Sequence, residues 1–282
     1  MTTPIAVEEL ARHALEGNHD ALDSLVRALQ GNVYGLALRM LWNREDAEDA
    51  TQEILVRVVT RLSQFEFRSG LKTWVYRLAV NYILDLKKSP IERQQLTFEA
   101  FAENLAAGRE PASATNTERS ILIEEVKVGC SLAMLQCLDR PHRIAFVLGD
   151  IMELSGPEAA EVLDIEPALF RKRLQIARKA VVDFTRSHCG LVSDAGGCQC
   201  HRRVSSAAAA SFDGTQPLHF ARHSTSFEEA RALVRQVDEA RSALALYRTS
   251  EPRASTIDFA QRLAGGLTRA FDSSSEPSKP TA

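Results

Sequence analysis

His188, Cys189, Cys198, Cys200 and His201 fall within 14 positions. Thiolates and imidazoles can hold Zn²⁺ tetrahedrally, so Cys189, Cys198, Cys200 and His201 are candidate metal ligands. Closely spaced thiols can also exchange a disulfide. A third reading is a structural turn, since Gly190, Gly196 and Gly197 would permit a tight loop. The Cys-x-Cys-His order departs from the usual Cys-x-x-Cys knuckle, and all three readings stay open. A second set is cationic. Arg171, Lys172, Arg173, Gln175, Arg178 and Lys179 crowd one stretch, and from Arg171 to Arg186 six basic residues face one acid, Asp183. Such side chains bond phosphates or the guanine edge. A third set is acidic: Asp46, Asp49 and Glu53 recur three and four residues apart, with Gln52 among them. That spacing puts them on one helix face, suited to a basic protein partner and repellent to DNA.

The elements that carry these sets are helices, for apolar residues recur at helical spacing and strand signals are few. Leu22, Leu25, Val26, Leu29, Val33 and Leu36 form one stripe. A second helix is predicted from near Asn43 to near Leu62, and Ser69 and Gly70 break the loop 64–71 that follows. A third runs from about Lys72 to Lys88, with Trp74, Leu78 and Tyr82 at four-residue spacing and Pro90 as its stop. Residues 89–119 lose sustained periodicity and read as a flexible linker, with one short helix near Phe98–Leu105. Helix resumes at Ile121, and Cys130 and Cys137 lie within that apolar stretch. Ser155-Gly-Pro-Glu158 reads as a capping box. The break at Asp164–Glu166 and the restart at Pro167 turn this into a helix-turn-helix over Ser155–Val182. Leu169, Leu174, Ala177 and Val181 are expected to face inward. Beyond position 188 come an Ala/Ser tract, His219 and His223, an amphipathic stretch Phe227–Tyr247, and a Ser/Pro-rich tail after Asp272.

Composition bounds the rest. The chain has 282 residues, 45% hydrophobic and 25% charged, with a net charge of −3, so it is not a uniformly basic nucleic-acid binder. No apolar run approaches the roughly 20 residues needed to span a bilayer. Met1–Leu10 carries Glu8 and Glu9 without a basic start and does not read as a signal peptide, so a cytoplasmic location is expected. No phosphate-cradling glycine loop and no supported nucleophile–base set suggests an enzyme.

Two stretches resemble the second domain of extracytoplasmic-function sigma factors of the sigma-70 family: Asp46-Ala-Glu-Asp-Ala-Thr-Gln-Glu53 and Phe67-Arg-Ser-Gly-Leu-Lys-Thr-Trp-Val-Tyr-Arg-Leu-Ala-Val-Asn81. Leu138-Asp-Arg-Pro-His-Arg-Ile-Ala-Phe-Val-Leu148, with Ser155–Arg178, resembles their fourth domain. The resemblance covers about residues 8–187 in the family's order. It implies that Asp46, Asp49, Gln52 and Glu53 dock on core RNA polymerase. It implies that the loop 64–71 and the helix after it open and read the minus-ten promoter element. Arg68, Lys72, Arg77, Lys87 and Lys88 would supply charge there, and Asn81 an amide for base edges. Trp74 could stack on a base or sit in the core, and its spacing favours the core. Arg171, Lys172, Arg173, Gln175 and Arg178 would read the minus-thirty-five element as a duplex. Asp164 stands where the family usually has Gly, and Leu169 and Phe170 are bulkier than usual, which puts base preference in doubt.

The expected organisation is all-α. Residues 1–89 form a domain for polymerase docking and the minus-ten element, 90–119 a linker, 120–187 a helix-turn-helix domain, and 188–282 an extension with the Cys/His segment. The expected function is promoter recognition by a sigma factor, with polymerase, promoter DNA and an anti-sigma factor as partners, and with zinc in the extension as the one cofactor considered. A helix-turn-helix regulator that never touches polymerase, and a metal or thiol sensor, are the alternatives. The first leaves the acidic helix and Arg68–Asn81 without a role, and the second predicts that alanine at Cys198 and Cys200 abolishes function.

Overall fold

A computed structural model describes residues 6–88, 90–93, 96–107, 116–203, 227–234 and 239–264. The Ala/Ser tract, His219, His223, the tail after 272 and the His201 side chain lie outside the described residues. Among the described residues every named element is a helix or a helical turn, and the sole β pairing is a bridge between Cys189 and Cys198.

The first lobe is built from α1 (Val7–Leu15), α2 (His19–Leu41), α3 (Arg44–Arg61) and α4 (Leu71–Asp85). Local chemistry sets their ends. Asn18 caps α2 and Asn43 caps α3, each side-chain oxygen accepting the amide hydrogen of the third helical residue, Ala21 and Asp46. The stripe Leu25, Val26, Leu29, Val33 and Leu36 is buried, as its spacing requires, and packs on Ala47, Ala50, Ile54 and Val58 of α3. Helix α4 stops at Asp85, three residues before the expected end, with Leu86 extended. The freed carbonyls of Ile83, Leu84 and Leu86 accept hydrogen bonds from Arg140 Nη1 at 3.4, 3.1 and 2.7 Å, so a cation from a distant helix closes this C-terminus.

The linker segment is partly structured and packed. Within it lie α5 (Pro90–Arg93) and α6 (Phe98–Ala107). The Glu92 carboxylate is buried against two arginines, Arg140 at 2.7 Å and Arg143 at 2.9 Å. Phe98 and Phe101 place their rings 5.0 and 5.8 Å from Phe184. Isolated charges and rings in a weakly periodic stretch carry no period to read, and only their distant partners reveal these contacts.

The second lobe comprises α7 (Asn116–Gln136), α8 (Arg140–Phe146), a π turn at Val147–Ile151, α9 (Gly156–Leu163) and α10 (Pro167–His188). Helix α7 begins five residues ahead of the expected Ile121. The stretch Phe227–Tyr247 contains two helices, α11 (Phe227–Val234) and α12 (Glu239–Thr249). Helix α12 packs on α10 and on the π turn: the Tyr247 ring meets Phe146 edge-on at 5.2 Å, and Arg248 Nε donates to the Asp150 carbonyl at 2.8 Å. The extension therefore supplies part of the core of the second lobe. The lobes meet where α9 packs on α4.

Candidate nucleic-acid and protein interfaces

The helix-turn-helix forms for the reasons its sequence contains. Ser155 Oγ accepts from the Glu158 amide at 3.4 Å, while Glu158 Oε2 accepts from the Ser155 amide at 2.9 Å, closing the capping box. Hydrogen bonding to the carboxylate from the Ser155 side chain, and next from its backbone amide, holds the Glu158 carboxyl below its ordinary range. At the corner, Asp164 adopts φ 50°, ψ 49°, the left-handed region that glycine enters at least cost. Pro167 opens α10 with its fixed φ. Phe170, Ala177, Val181 and Phe184 face inward, and Leu174 is half-buried. Leu169 is 40% exposed, contrary to the inward placement expected of it. One helical step separates Leu169 from Phe170, and the larger ring takes the core position beside Gly149, whose missing side chain leaves room for Phe170 and Leu174.

Of the residues read as facing a duplex, Arg171, Lys172 and Gln175 are exposed, as is Lys179, which pairs with Asp183. Arg173 is half-buried. Arg178 is exposed as well, but its Nε and Nη2 donate to buried Asp150 at 2.9 and 2.6 Å. The hydrogen bond to Asp150 raises the Arg178 pKa above its ordinary value. Exposed Ile176 joins Leu169 on the outer side of α10.

On α3 the acidic residues behave as their spacing implies. Asp46 and Asp49 are exposed, while Gln52 and Glu53 are half-buried. Glu53 pairs with Arg57 at 3.0 Å, and the Arg57 guanidinium lies 4.4 Å over the Tyr82 ring, tying α3 to α4. Burial, with the neighbouring Glu53 next, pushes the Tyr82 hydroxyl up from its usual range.

The loop 64–71 is fastened from below. Phe65 is buried against Trp74, ring centroids 5.4 Å apart, and against Phe67 at 4.5 Å. Phe67 takes a positive φ of 56°, and Arg12 of α1 lies 4.2 Å over its ring. Trp74 is half-buried in this cluster. Arg68, Lys72, Asn81, Lys87 and Lys88 are exposed. Arg77 shares a face with Asn81, but its Nη2 donates to the Glu161 carbonyl at 3.0 Å and meets its carboxylate at 3.2 Å. Glu161 belongs to α9, so in this arrangement the helix-turn-helix lobe covers part of the α4 face.

The Cys/His segment is a tight loop against α7 and α10. The Gly190 amide donates to the Cys198 carbonyl at 2.8 Å and the Cys198 amide to the His188 carbonyl at 2.9 Å. His188 stacks on Phe184 at 4.5 Å and shares a hydrogen bond with its carbonyl at 3.0 Å. Cys200 is buried in a 3₁₀ turn, Cys200–Arg202. None of the five cysteines is in a disulfide. Cys130 of α7 lies within electrostatic reach of Cys189, Cys198 and Cys200. Sequence reasoning missed Cys130, because a cysteine in an apolar helix looks like any small core residue. Burial pushes the Cys130 and Cys200 thiols well up, and Cys137 to about 12. In this state those three are neutral thiols. Among the described residues, no group of three or more His, Cys, Asp or Glu side chains is arranged to hold a metal ion.

A Cβ on Gly196 would lie 2.3–2.8 Å from the backbone of Cys189. Gly196→Ala is therefore expected to force the loop open. Alkylation of buried Cys200, followed by mass spectrometry, should accelerate by roughly tenfold, the counterpart of about 1–2 kcal/mol of strain. Unchanged labelling would show that the loop has another packing.

The family model for sigma-70 region 2 matches residues 25–89, which span most of α2 through α4. The ECF RNA polymerase sigma factor SigE of Mycolicibacterium smegmatis is 32% identical over 59% of this chain, and the match spans 62% of SigE. The ECF RNA polymerase sigma factor SigW of Bacillus subtilis is 27% identical over 62% of this chain and 94% of SigW. The structure of CnrH in complex with the cytosolic domain of CnrY covers 61% of this chain and 91% of its own, at 23% identity and a TM-score of 0.43. This chain is thus similar to extracytoplasmic-function RNA polymerase sigma factors over 59–62% of its length, with the sigma-70 region 2 match lying in its first lobe.

Proposed function

We propose that this chain binds core RNA polymerase and directs promoter recognition and transcription initiation. It is an initiation factor and not an enzyme; the bond-making belongs to the polymerase. The observation that carries the reading is the division of charge between two outward faces. Asp46 and Asp49 present carboxylates on α3, whereas Arg171, Lys172 and Gln175 present donors on α10. One face suits a basic protein surface and the other a duplex. A polymerase-independent regulator would need only the second. Run-off transcription with core polymerase on a promoter library tests the proposal, and absence of initiation on every template would remove it.

Within this reading, Arg68, Lys72, Asn81, Lys87 and, once Glu161 is displaced, Arg77 engage the minus-ten element, and Arg171, Lys172, Arg173 and Gln175 the minus-thirty-five element. Arg178 has a structural share. Arg178→Ala strands the buried Asp150 carboxylate and is expected to cost about 1.5–3 kcal/mol in urea unfolding. Lys172→Ala should leave stability within about 0.5 kcal/mol while lowering the salt slope of duplex binding by about 1. Equal effects of the two variants on stability would refute this division.

The proposed location is the cytoplasm, with polymerase on the nucleoid, to be checked by imaging a tagged chain. Among the described residues no helix is long and apolar enough to cross a membrane. An anti-sigma protein is a further proposed partner, to be sought by co-purification. Zinc at Cys189, Cys198, Cys200 and His201 is likewise a proposal. It would require the thiols to lose protons and close on one point, and metal analysis of the purified full chain tests it. Because α12 helps to fill the second lobe, substitution of the cysteines is a cleaner probe than cutting the chain at Arg186.

A further inference from the structure

Residues 250–264 cross back to the first lobe and lie along α2 and α3. Ser255 Oγ donates to Glu48 Oε1 at 2.8 Å, and Arg44 Nη2 donates to Thr256 Oγ1 at 3.3 Å. Asp258 pairs with Arg27 of α2 at 2.8 Å. Its carboxylate also accepts the Gln261 amide at 3.1 Å, capping a helical turn over 259–264. Phe259, Ala260 and Leu263 of that turn are buried. Arg262 Nη1 then donates to Gln52 Oε1 at 2.8 Å. Gln52 belongs to the set read as the polymerase-docking face, and Asp49 and Glu53 are its immediate helical neighbours.

We propose that residues 255–263 form a strap built into the chain that occupies the shoulder of the α3 docking face, so that polymerase must displace it to bind. The proposal rests on the reading of α3 as the polymerase-docking helix. Two features fit a strap that comes off. Its ion pair and its bond to Gln52 are made by exposed side chains, which hold weakly in water. Its apolar anchor is short: Phe259, Ala260 and Leu263 are buried, and Ile257 is partly so. It is also tethered from behind, since α12 packs on α10 and Lys127 Nζ donates to the Thr249 carbonyl at 3.4 Å. A displaced strap thus stays close and can return. The same tether links the strap to the second lobe, where α7 also packs on the Cys200–Arg202 turn.

The test measures the affinity of full-length protein for core polymerase. The panel is the unaltered chain, Asp258→Arg with Arg262→Glu, Phe259→Ala with Leu263→Ala, and Asp49→Arg. Hydrogen exchange over 250–264 reports strap release, and circular dichroism reports folding. The first double substitution changes exposed side chains, so it keeps the test sound should the second impair folding. The expected result is faster exchange in the strap and about fivefold to tenfold tighter polymerase binding, the scale of an ordinary coupling between two sites. Released straps with unchanged or weaker affinity would overturn the proposal while leaving polymerase docking intact. Failure of every form to bind, the unaltered chain included, would remove the docking reading and the strap's role with it.

Discussion

Glu92→Ala is expected to lower the stability of the folded chain by about 3–5 kcal/mol, the usual cost of removing one member of a buried ion pair. The Glu92 side chain is 3% exposed and touches two guanidinium groups. Arg143 is equally buried and donates to the carbonyls of Leu135 at 3.0 Å, Met40 at 2.6 Å and Leu138 at 3.0 Å. Burial lowers the Arg143 pKa, and Glu92 is the largest opposing influence. Without Glu92, the buried Arg143 charge would keep only Asp139 as an acidic neighbour, and Arg140 would lose the partner that aims it at the end of α4. The loss would also loosen the lobes, because Met40 belongs to the first and Leu135 to the second. Urea unfolding should show a lower midpoint with little change in slope. Glu92→Ala with Arg143→Met should recover part of the loss, since apolar replacements of a buried pair are often well tolerated. A loss below about 1 kcal/mol for Glu92→Ala would mean that water reaches this cluster.

How much of this was legible in the sequence depended on the range of the interaction. Asn43, Ser155, Glu158 and Pro167 act within one helical turn, and the ends they set are where the sequence puts them. The α3 and α10 faces were legible too, because period and charge coincide there. What stayed hidden has partners far along the chain. Glu92 meets Arg140 and Arg143 about 50 positions away, Arg77 meets Glu161 at 84, and Ser255 meets Glu48 at 207. None of these leaves a local period. The strap is the extreme case: the partners of residues 255–258 lie on α2 and α3, more than 200 positions away. Arg178 shows the reverse difficulty. Its type and position mark it as a DNA contact, yet the π turn at Val147–Ile151 brings buried Asp150 within 2.6 Å, and a buried carboxylate claims the nearest guanidinium.

The most direct consequence for function is expected at Asp49. Asp49→Arg should weaken binding to core polymerase by about 100-fold, because like charges set against each other across an interface cost several kcal/mol. The position isolates this effect. Asp49 is exposed, and it lies beyond the first turn of α3, where Asp46 also favours the helix end. Stability should therefore change by no more than about 0.5 kcal/mol. Glu103→Arg, exposed on α6, makes the same charge change away from this face and should leave affinity unaltered. The unaltered chain should bind less tightly as salt rises, and Asp49→Arg should reverse or flatten that trend, since screening weakens attraction and repulsion alike. Combining Asp49→Arg with strap release separates the two controls on one face. The strap governs access at Gln52, whereas Asp49 supplies attraction once access is gained. Strap release should then tighten binding by the same factor in both backgrounds, because the open fraction multiplies an intrinsic affinity that Asp49 sets. No gain in either background would place polymerase contact away from the strap.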